Sequence, residues 1–423
     1  MTDLLIVIIG SAISVFIVLI LKHFLSTANG NPPLPPGPKG LPLVGNLSDL
    51  PNPGVLEAHH WLKHKDLYGP ISSVTVMGQT LVIINDAQLA FALLEKRSLK
   101  HSSRPRQIFA GEMLGWENSL GLSQYNDRFR TYRKNMSRII GSKTAAAQYS
   151  TLQEAEVGHF LLHVLNNPED LVNQIRKEAG AVILKIAYGY TAEPFKDDVL
   201  VTMAGDAMDK FERAGVPGAF MVDMMPFLIY FPDWVPGTGW KRTARQWAAE
   251  LNDVTEKPYA FVKHQIAQGK DDNSFLSRLL ETGDSTPEEK FANKWHFTHD
   301  PDVYVEPISF KPERFLPDKG KEAAPDPHMF VFGFGRRICP GRILADNALY
   351  LNIAQSLAVF DITRDDNVVH PEMRFTPGVV SHPQPFKTII KPRTPHQEKL
   401  IRSIEHVFPW EESDAGILES MDS

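Results

Sequence analysis

The chain has 423 residues, 43% of them apolar and 22% charged, enough to bury a large core and by length alone enough for two or three domains. Its 44 basic and 50 acidic residues leave a formal net charge of −6 and no long basic stripe, which excludes the electrostatic footprint of a nucleic-acid-binding protein. A single cysteine excludes an intrachain disulfide and a structural zinc site, and it fits a reducing, cytosol-facing body.

In chain order, the first feature is residues 4–21, LLIVIIGSAISVFIVLIL, an uncharged stretch near the short end of what spans a bilayer. A cleaved signal peptide is the rival reading. Against it, the start carries Asp3 rather than a basic cluster, and no small-x-small cleavage site follows. Residues 1–22 therefore read as a retained anchor, and Lys22 after the span places the body on the cytoplasmic side. Residues 23–45 form a proline-rich hinge around the run PPLPPGP at 32–38. Proline fixes φ and denies helix, so the run is expected to be a semi-rigid extended spacer. A docking site for another domain is the alternative use of such a run.

Residues 46–423 read as one body in which helix dominates. Strands are expected over 71–76 and 80–84, around a turn at Gly78. Apolar periodicity predicts helices over 87–95, 126–140, 145–165, 168–186, 240–268 and 275–281. Proline and glycine break 214–238, and short proline-punctuated segments fill 301–328. A further helix is expected over 340–359, with Pro340 in its first turn. Strands and turns follow over 361–391, then a polar tail.

Cys339 sits in the run FGFGRRICPG at 332–341. The residues alone leave three roles open: a buried apolar thiol, a reactive thiol, or a thiolate ligand to one metal. Arg336, Arg337 and the positive end of the following helix all favour a thiolate. Gly333, Gly335 and Gly341 allow close approach to the backbone.

The spacing Phe332-x-x-Gly335-x-Arg337-x-Cys339-x-Gly341 resembles the haem-binding signature of the cytochrome P450 family, the haem-thiolate monooxygenases. The resemblance extends along most of the chain. Residues 1–45 are similar to the microsomal anchor and proline hinge. The segments HDP at 299–301 with Tyr304 and Pro307, PERF at 312–315 and TPGVVSHP at 376–383 resemble further family stretches. The wording is most similar to fungal members of secondary metabolism. The resemblance implies a mainly α fold with small β-sheets. It makes Cys339 the axial ligand of a haem b iron and pairs Arg337 with a propionate. Phe332 would pack beside the sulfur, and Gly335 and Gly341 would admit backbone groups near it.

Phe129 and Arg133 share a helix face and resemble the family's Trp-x-x-x-Arg, with Phe in the place of Trp. Arg133 would then meet a propionate, with Arg130 beside it; a solvated basic face is the other reading. Phe109, Met113, Leu114 and Trp116 would lie over the haem. Phe220, Met221, Met224 and Phe227 would line the entry, and Val379 and Val380 the C-terminal turn. Ordinary core packing remains open for each. The resemblance further implies electrons from NADPH through NADPH–cytochrome P450 reductase and an apolar small-molecule substrate. It implies an endoplasmic reticulum membrane location with the body facing the cytosol.

Two family features are missing. No glutamate has an arginine three residues later, and no long apolar helix with an acid–alcohol pair occurs between 250 and 300. Gly283-Asp-Ser-Thr286 reads as a turn before a helix start. Residues 287–294 resemble the approach to the family's central helix, whereas 295–301 resemble sequence well beyond the Glu-x-x-Arg helix. The two are fused near Lys294–Trp295, so a deletion around 287–301 leaves the fold incomplete and apolar surface uncovered. Three functions follow: a membrane-anchored monooxygenase, a non-catalytic haem-binding remnant or truncated isoform, and a thiol enzyme with Cys339 as nucleophile. The last lacks a fixed histidine partner, His328 being the nearest.

Overall fold

A computed structural model describes residues 32–281 apart from 43, 53, 217 and 271–272, then 312–316, 323–365, 375–376, 381–384 and 386–421, together with Ser14. The apolar span at 4–21, Ser14 excepted, lies outside the described residues. So do the fusion at 294–295, the segment at 299–307, and Val379 and Val380. Among the described residues no helix is long and apolar enough to cross a membrane.

Contacts divide the chain into two compact units, Met1–Arg97 with Thr376–Gly378, and the remainder. In the first, helix α1 (Glu57–Tyr68) precedes the hairpin of β1 (Ile71–Val76) and β2 (Gln79–Ile84). The strands are antiparallel, with Ile71 opposite Ile84 and Val76 opposite Gln79. Met77 and Gly78 turn the hairpin with φ of 49° and 87°, the left-handed pair that a two-residue turn requires. The proline run is part of this unit from Pro35 onward. Ser73 donates through its hydroxyl to the Pro35 carbonyl (2.7 Å) and through its amide to the Pro36 carbonyl (2.8 Å). The expected spacer is thus stitched to a strand edge, because prolines keep their carbonyls as acceptors.

The second unit is mostly helical. Its longer helices are α2 (Asp127–Ile140), α3 (Ser150–Asn166), α4 (Leu171–Tyr188), α5 (Val199–Gly215), α6 (Trp240–Ala267), α7 (Phe275–Glu281) and α8 (Arg342–Val359). Antiparallel strands β3 (Phe360–Arg364) and β4 (Thr388–Pro392) follow, then α9 (Pro395–Arg402) and α10 (Ala415–Met421). Asn126 caps α2 by accepting from the Phe129 amide (3.0 Å). The expected helix at 145–165 is two, since Lys143–Ala147 ends before α3 begins. The helix expected from Pro340 starts at Arg342, leaving Pro340 in the preceding turn. Helix α5 goes beyond the elements expected from periodicity. Asp198 starts it, accepting from the amides of Leu200 (2.8 Å) and Val201 (3.1 Å).

The polar tail is a structured arm. Ile401 is fully buried in a cluster with Phe160, Leu161 and Val164 of α3 and Val359, Phe360 and Ile390. Leu418 packs with Tyr190, Leu200 and Phe261. Polar contacts bind the arm down: Thr191 donates from its amide to Asp414 (2.9 Å), and Lys185 pairs with Glu411 (2.8 Å).

Apolar surface is exposed elsewhere. Helix α8 buries only Val359, while Leu349, Tyr350, Ile353 and Leu357 are all more than half exposed along one face. Val172, Ile175 and Ile183 of α4 are likewise exposed.

Candidate cofactor site around Cys339

The cysteine loop is shaped by its backbone. Gly333 and Gly335 have φ of 76° and 54°, the left-handed region that L side chains avoid. The chain folds back so that the Cys339 amide donates to the Phe332 carbonyl (2.8 Å), and the Phe332 ring is buried. The Cys339 thiol is partly exposed, which argues against a sealed core cysteine. Gly341, at φ −87°, adopts an ordinary conformation just before α8.

The structure brings Arg133 to this loop. Its guanidinium donates to the Ile338 carbonyl next to Cys339. Burial pushes the Arg133 pKa down, while the Cys339 sulfur pulls it up. Arg337 is clasped by the backbone of residues 102–123: Nε donates to Ser102 (2.7 Å), Nη1 to Leu120 (3.0 Å) and Nη2 to Ser123. Its Cζ lies over the Phe129 ring, 4.0 Å from the centroid, so the Phe in place of Trp meets a cation instead of donating an N–H. Among the described residues three of the five guanidinium N–H groups are used.

Periodicity and spacing had not pointed to Arg104. It donates to the Gly121 carbonyl (3.0 Å) and repels Arg337. Burial, then Arg104 and Arg133, hold Arg337 down at about 10. Among the described residues, Arg104, Arg133 and Arg337 hydrogen-bond to backbone carbonyls and none meets a carboxylate. Arg104 is exposed, as is Arg130, which pairs with Asp127. Arg336 is exposed and donates to the Tyr125 hydroxyl (2.6 Å).

Two partly desolvated cations, Arg133 and Arg337, short of anions among the described residues and beside the chain's one thiol, suit a dianionic group that takes a sulfur ligand. A haem with two propionates has that chemistry, so the residues present fit it. Replacing Arg337 by lysine is expected to destabilise the chain by about 3 kcal/mol, because a point-charge ammonium cannot serve three carbonyls at fork geometry. Urea unfolding checks this; an unchanged midpoint contradicts the clasp.

The loop is also tied to α8. His328 contacts Asp326 Oδ1 through Nδ1 and Asp346 Oδ1 through Nε2, both at 2.6 Å. Two donated bonds require the imidazolium, and the Asp326 hydrogen bond leads the causes that raise the His328 pKa. A raised folded pKa gives stability that is complete below the unfolded value of about 6.5 and is lost as pH rises through the folded value. The groups are exposed, so each pair contributes only about 0.2–1 kcal/mol. Wild type is expected to exceed His328→Gln in urea stability at about pH 6 and to match it at about pH 9. A gap persisting at the higher pH contradicts the assignment.

The apolar residues assigned to the substrate region pack on one another. Phe109 is fully buried and stacks on Phe220, centroids 3.4 Å apart, and Trp116 contacts Phe211 at 4.7 Å. Asp223 accepts from the amides of Ile108 (2.7 Å) and Phe109 (2.9 Å), joining the two segments. Met221 and Phe227 are exposed. Core packing therefore describes Phe109, Leu114 and Trp116 here.

Comparison with known proteins agrees with the geometry. The family model described as Cytochrome P450 matches residues 35–294 and 291–390, two stretches that meet at the expected fusion. Cytochrome P450 monooxygenase ppsD of Aspergillus oryzae is 36% identical over 498 aligned positions, covering 92% of this chain and 94% of the relative. Cytochrome P450 monooxygenase claR of Ampulloclitocybe clavipes is 36% identical, covering 88% of each. O-methylsterigmatocystin oxidoreductase of Aspergillus flavus is 33% identical, covering 94% of each. These alignments run to 479–501 positions against 423 residues, so the relatives carry sequence that this chain lacks. On the cysteine loop, the arginine cluster and these matches, the chain belongs to the cytochrome P450 family of monooxygenases.

Proposed function

We propose that this chain binds haem b through Cys339 and, in its 423-residue form, has lost efficient monooxygenation. The observation that carries the reading is the pair of carbonyl-held arginines, Arg133 and Arg337, beside Cys339, with no carboxylate among the described residues to neutralise them. Arg133 and Arg337 hold the propionates, and Arg104 adds to their field. Phe332 covers the sulfur side, and the turns at Gly335 and Gly341 keep the backbone close to it. When bound, thiolate-ligated haem supplies cleavage of the O–O bond. The inherited activity is insertion of one oxygen atom into an apolar small molecule of fungal secondary metabolism. Electrons come from NADPH through NADPH–cytochrome P450 reductase, which meets the exposed Arg336 side. The reduced-CO absorption of the purified chain tests the ligand. A thiolate-type Soret band supports the reading, and a nitrogen-ligand band or no haem overturns it.

The anchor at 4–21 holds the protein in the endoplasmic reticulum membrane with its body in the cytosol. The support is the uncharged span followed by Lys22 and the prolines. Alkaline carbonate is expected to leave the protein in the membrane pellet. A soluble form lacking the first residues contradicts this.

A further inference from the structure

A cavity of 490 Å³ lies between α3, α4 and the C-terminal arm, within the size range of small-molecule sites. None of its lining residues belongs to the cysteine loop or the arginine cluster. One wall, residues 407–411, lies beyond the last residue that the family model matches, 390.

Its wall carries an unmet hydrogen-bonding demand. Gln174, only 6% exposed, uses Nε2 on Asp170 (3.3 Å), while its Oε1 is buried with no protein partner. A buried acceptor without a donor costs free energy that a ligand N–H recovers. Glu178 lies one helical turn further along the same face and is 8% exposed; its Oε1 accepts from Asn352 (3.3 Å). Two buried acceptors, one of them a carboxylate, thus face the same region.

The arm supplies an aromatic wall. The Trp410 ring stacks on His159 with centroids 3.8 Å apart and packs near Phe195 at 5.0 Å. These ring contacts hold Trp410 in place on the cavity wall.

Charge selects the occupant. Glu156, Glu178, Glu193, Asp198 and Glu411 line the cavity against Lys177 and Lys185. Lys185 is committed to Glu411 and to the Thr191 hydroxyl, both at 2.8 Å. His163 and His159 also line the cavity; burial, then Lys177 and His159, lower the His163 pKa, whereas for His159 burial is outweighed by the Glu156 carboxylate and the Phe408 carbonyl, which raise it, so carboxylates still outnumber cations. An anion would meet excess carboxylate, whereas a cation meets acceptors.

We infer that this cavity binds an organic ammonium ion carried on a ring-sized apolar body. The ammonium donates to Gln174 Oε1 and faces Glu178, and the ring lies against Trp410.

The test is isothermal titration of the purified full chain in detergent with 2-phenylethylammonium. The comparison probes are 3-phenylpropionate and 2-phenylethanol, which keep the ring and change the charge. The ammonium is expected to bind at least about tenfold more tightly than either. Gln174→Leu is expected to weaken it by about tenfold, the effect of one charge-assisted hydrogen bond. Gln174→Glu, nearly the same size, is expected to tighten it, a gain that misfolding cannot produce. Equal binding of the carboxylate, or no heat with the ammonium, overturns the inference. So does a Gln174→Glu variant that fails to bind more tightly. Binding that Gln174→Leu leaves unchanged places the probe elsewhere, the haem included, and also overturns it.

Discussion

Cys339→Ala is expected to erase the thiolate-type reduced-CO band and, with it, all monooxygenase chemistry, while leaving the chain folded. The sulfur is the only thiol in the sequence, so no other side chain can take its place as thiolate. The loop itself does not depend on it. The Cys339 amide bond to Phe332, the left-handed turns at Gly333 and Gly335, and the Arg337 clasp are all made without Sγ. Loss of a partly exposed thiol is expected to change stability by less than about 1 kcal/mol. Absorption spectra and urea unfolding of the same preparation separate the two outcomes. An unchanged band in the folded variant contradicts the assignment of Cys339.

The second large effect concerns coupling of electron use to product. Reconstituted with NADPH and the reductase, the chain is expected to consume NADPH and release peroxide. Its product formation is expected to be about 10²–10⁴-fold below a version with the missing block restored between residues 294 and 295. That factor is the usual contribution of positioned proton donors, which the absent acid–alcohol pair would supply. Exclusion of water suppresses such leakage, and this chain lacks the block that would provide it. The apolar face of α8, from Leu349 to Leu357, is exposed to water. NADPH, peroxide and oxidised product are measured together. Product at a rate comparable with the restored version contradicts the expectation.

The cysteine loop was legible because its signal is local: turns, ligand and arginine fall within ten consecutive residues. Arg133 was legible through its spacing from Phe129, and the structure brings it to the carbonyl beside Cys339. The clasp on Arg337 was not, because its acceptors are the backbone carbonyls of Ser102, Leu120 and Ser123. Any sequence has carbonyls, so they leave no pattern. Arg104 was missed for the same reason: only the fold shows that it shares a field with Arg337. The helical body was read from periodicity, yet the C-terminal arm looked polar. Its buried residues, Ile401 and Leu418, sit in helices of only 8 and 7 residues, too short for an apolar stripe to stand out from a polar tail. Tertiary contact, not local pattern, orders them.

The docking of the arm on α3 also sets a timetable for synthesis. His159 contacts the carbonyl of Phe408, 249 positions later, and the apolar face around Phe160 is closed by Ile401. At about 5–20 residues per second, the ribosome leaves that face uncovered for roughly ten to fifty seconds. Closure over such a sequence separation is slow in itself, since loop entropy must be overcome before contacts form. Helix α3 therefore completes its core only once residues 401–408 have been made, and until then it is a surface for chaperones to shield.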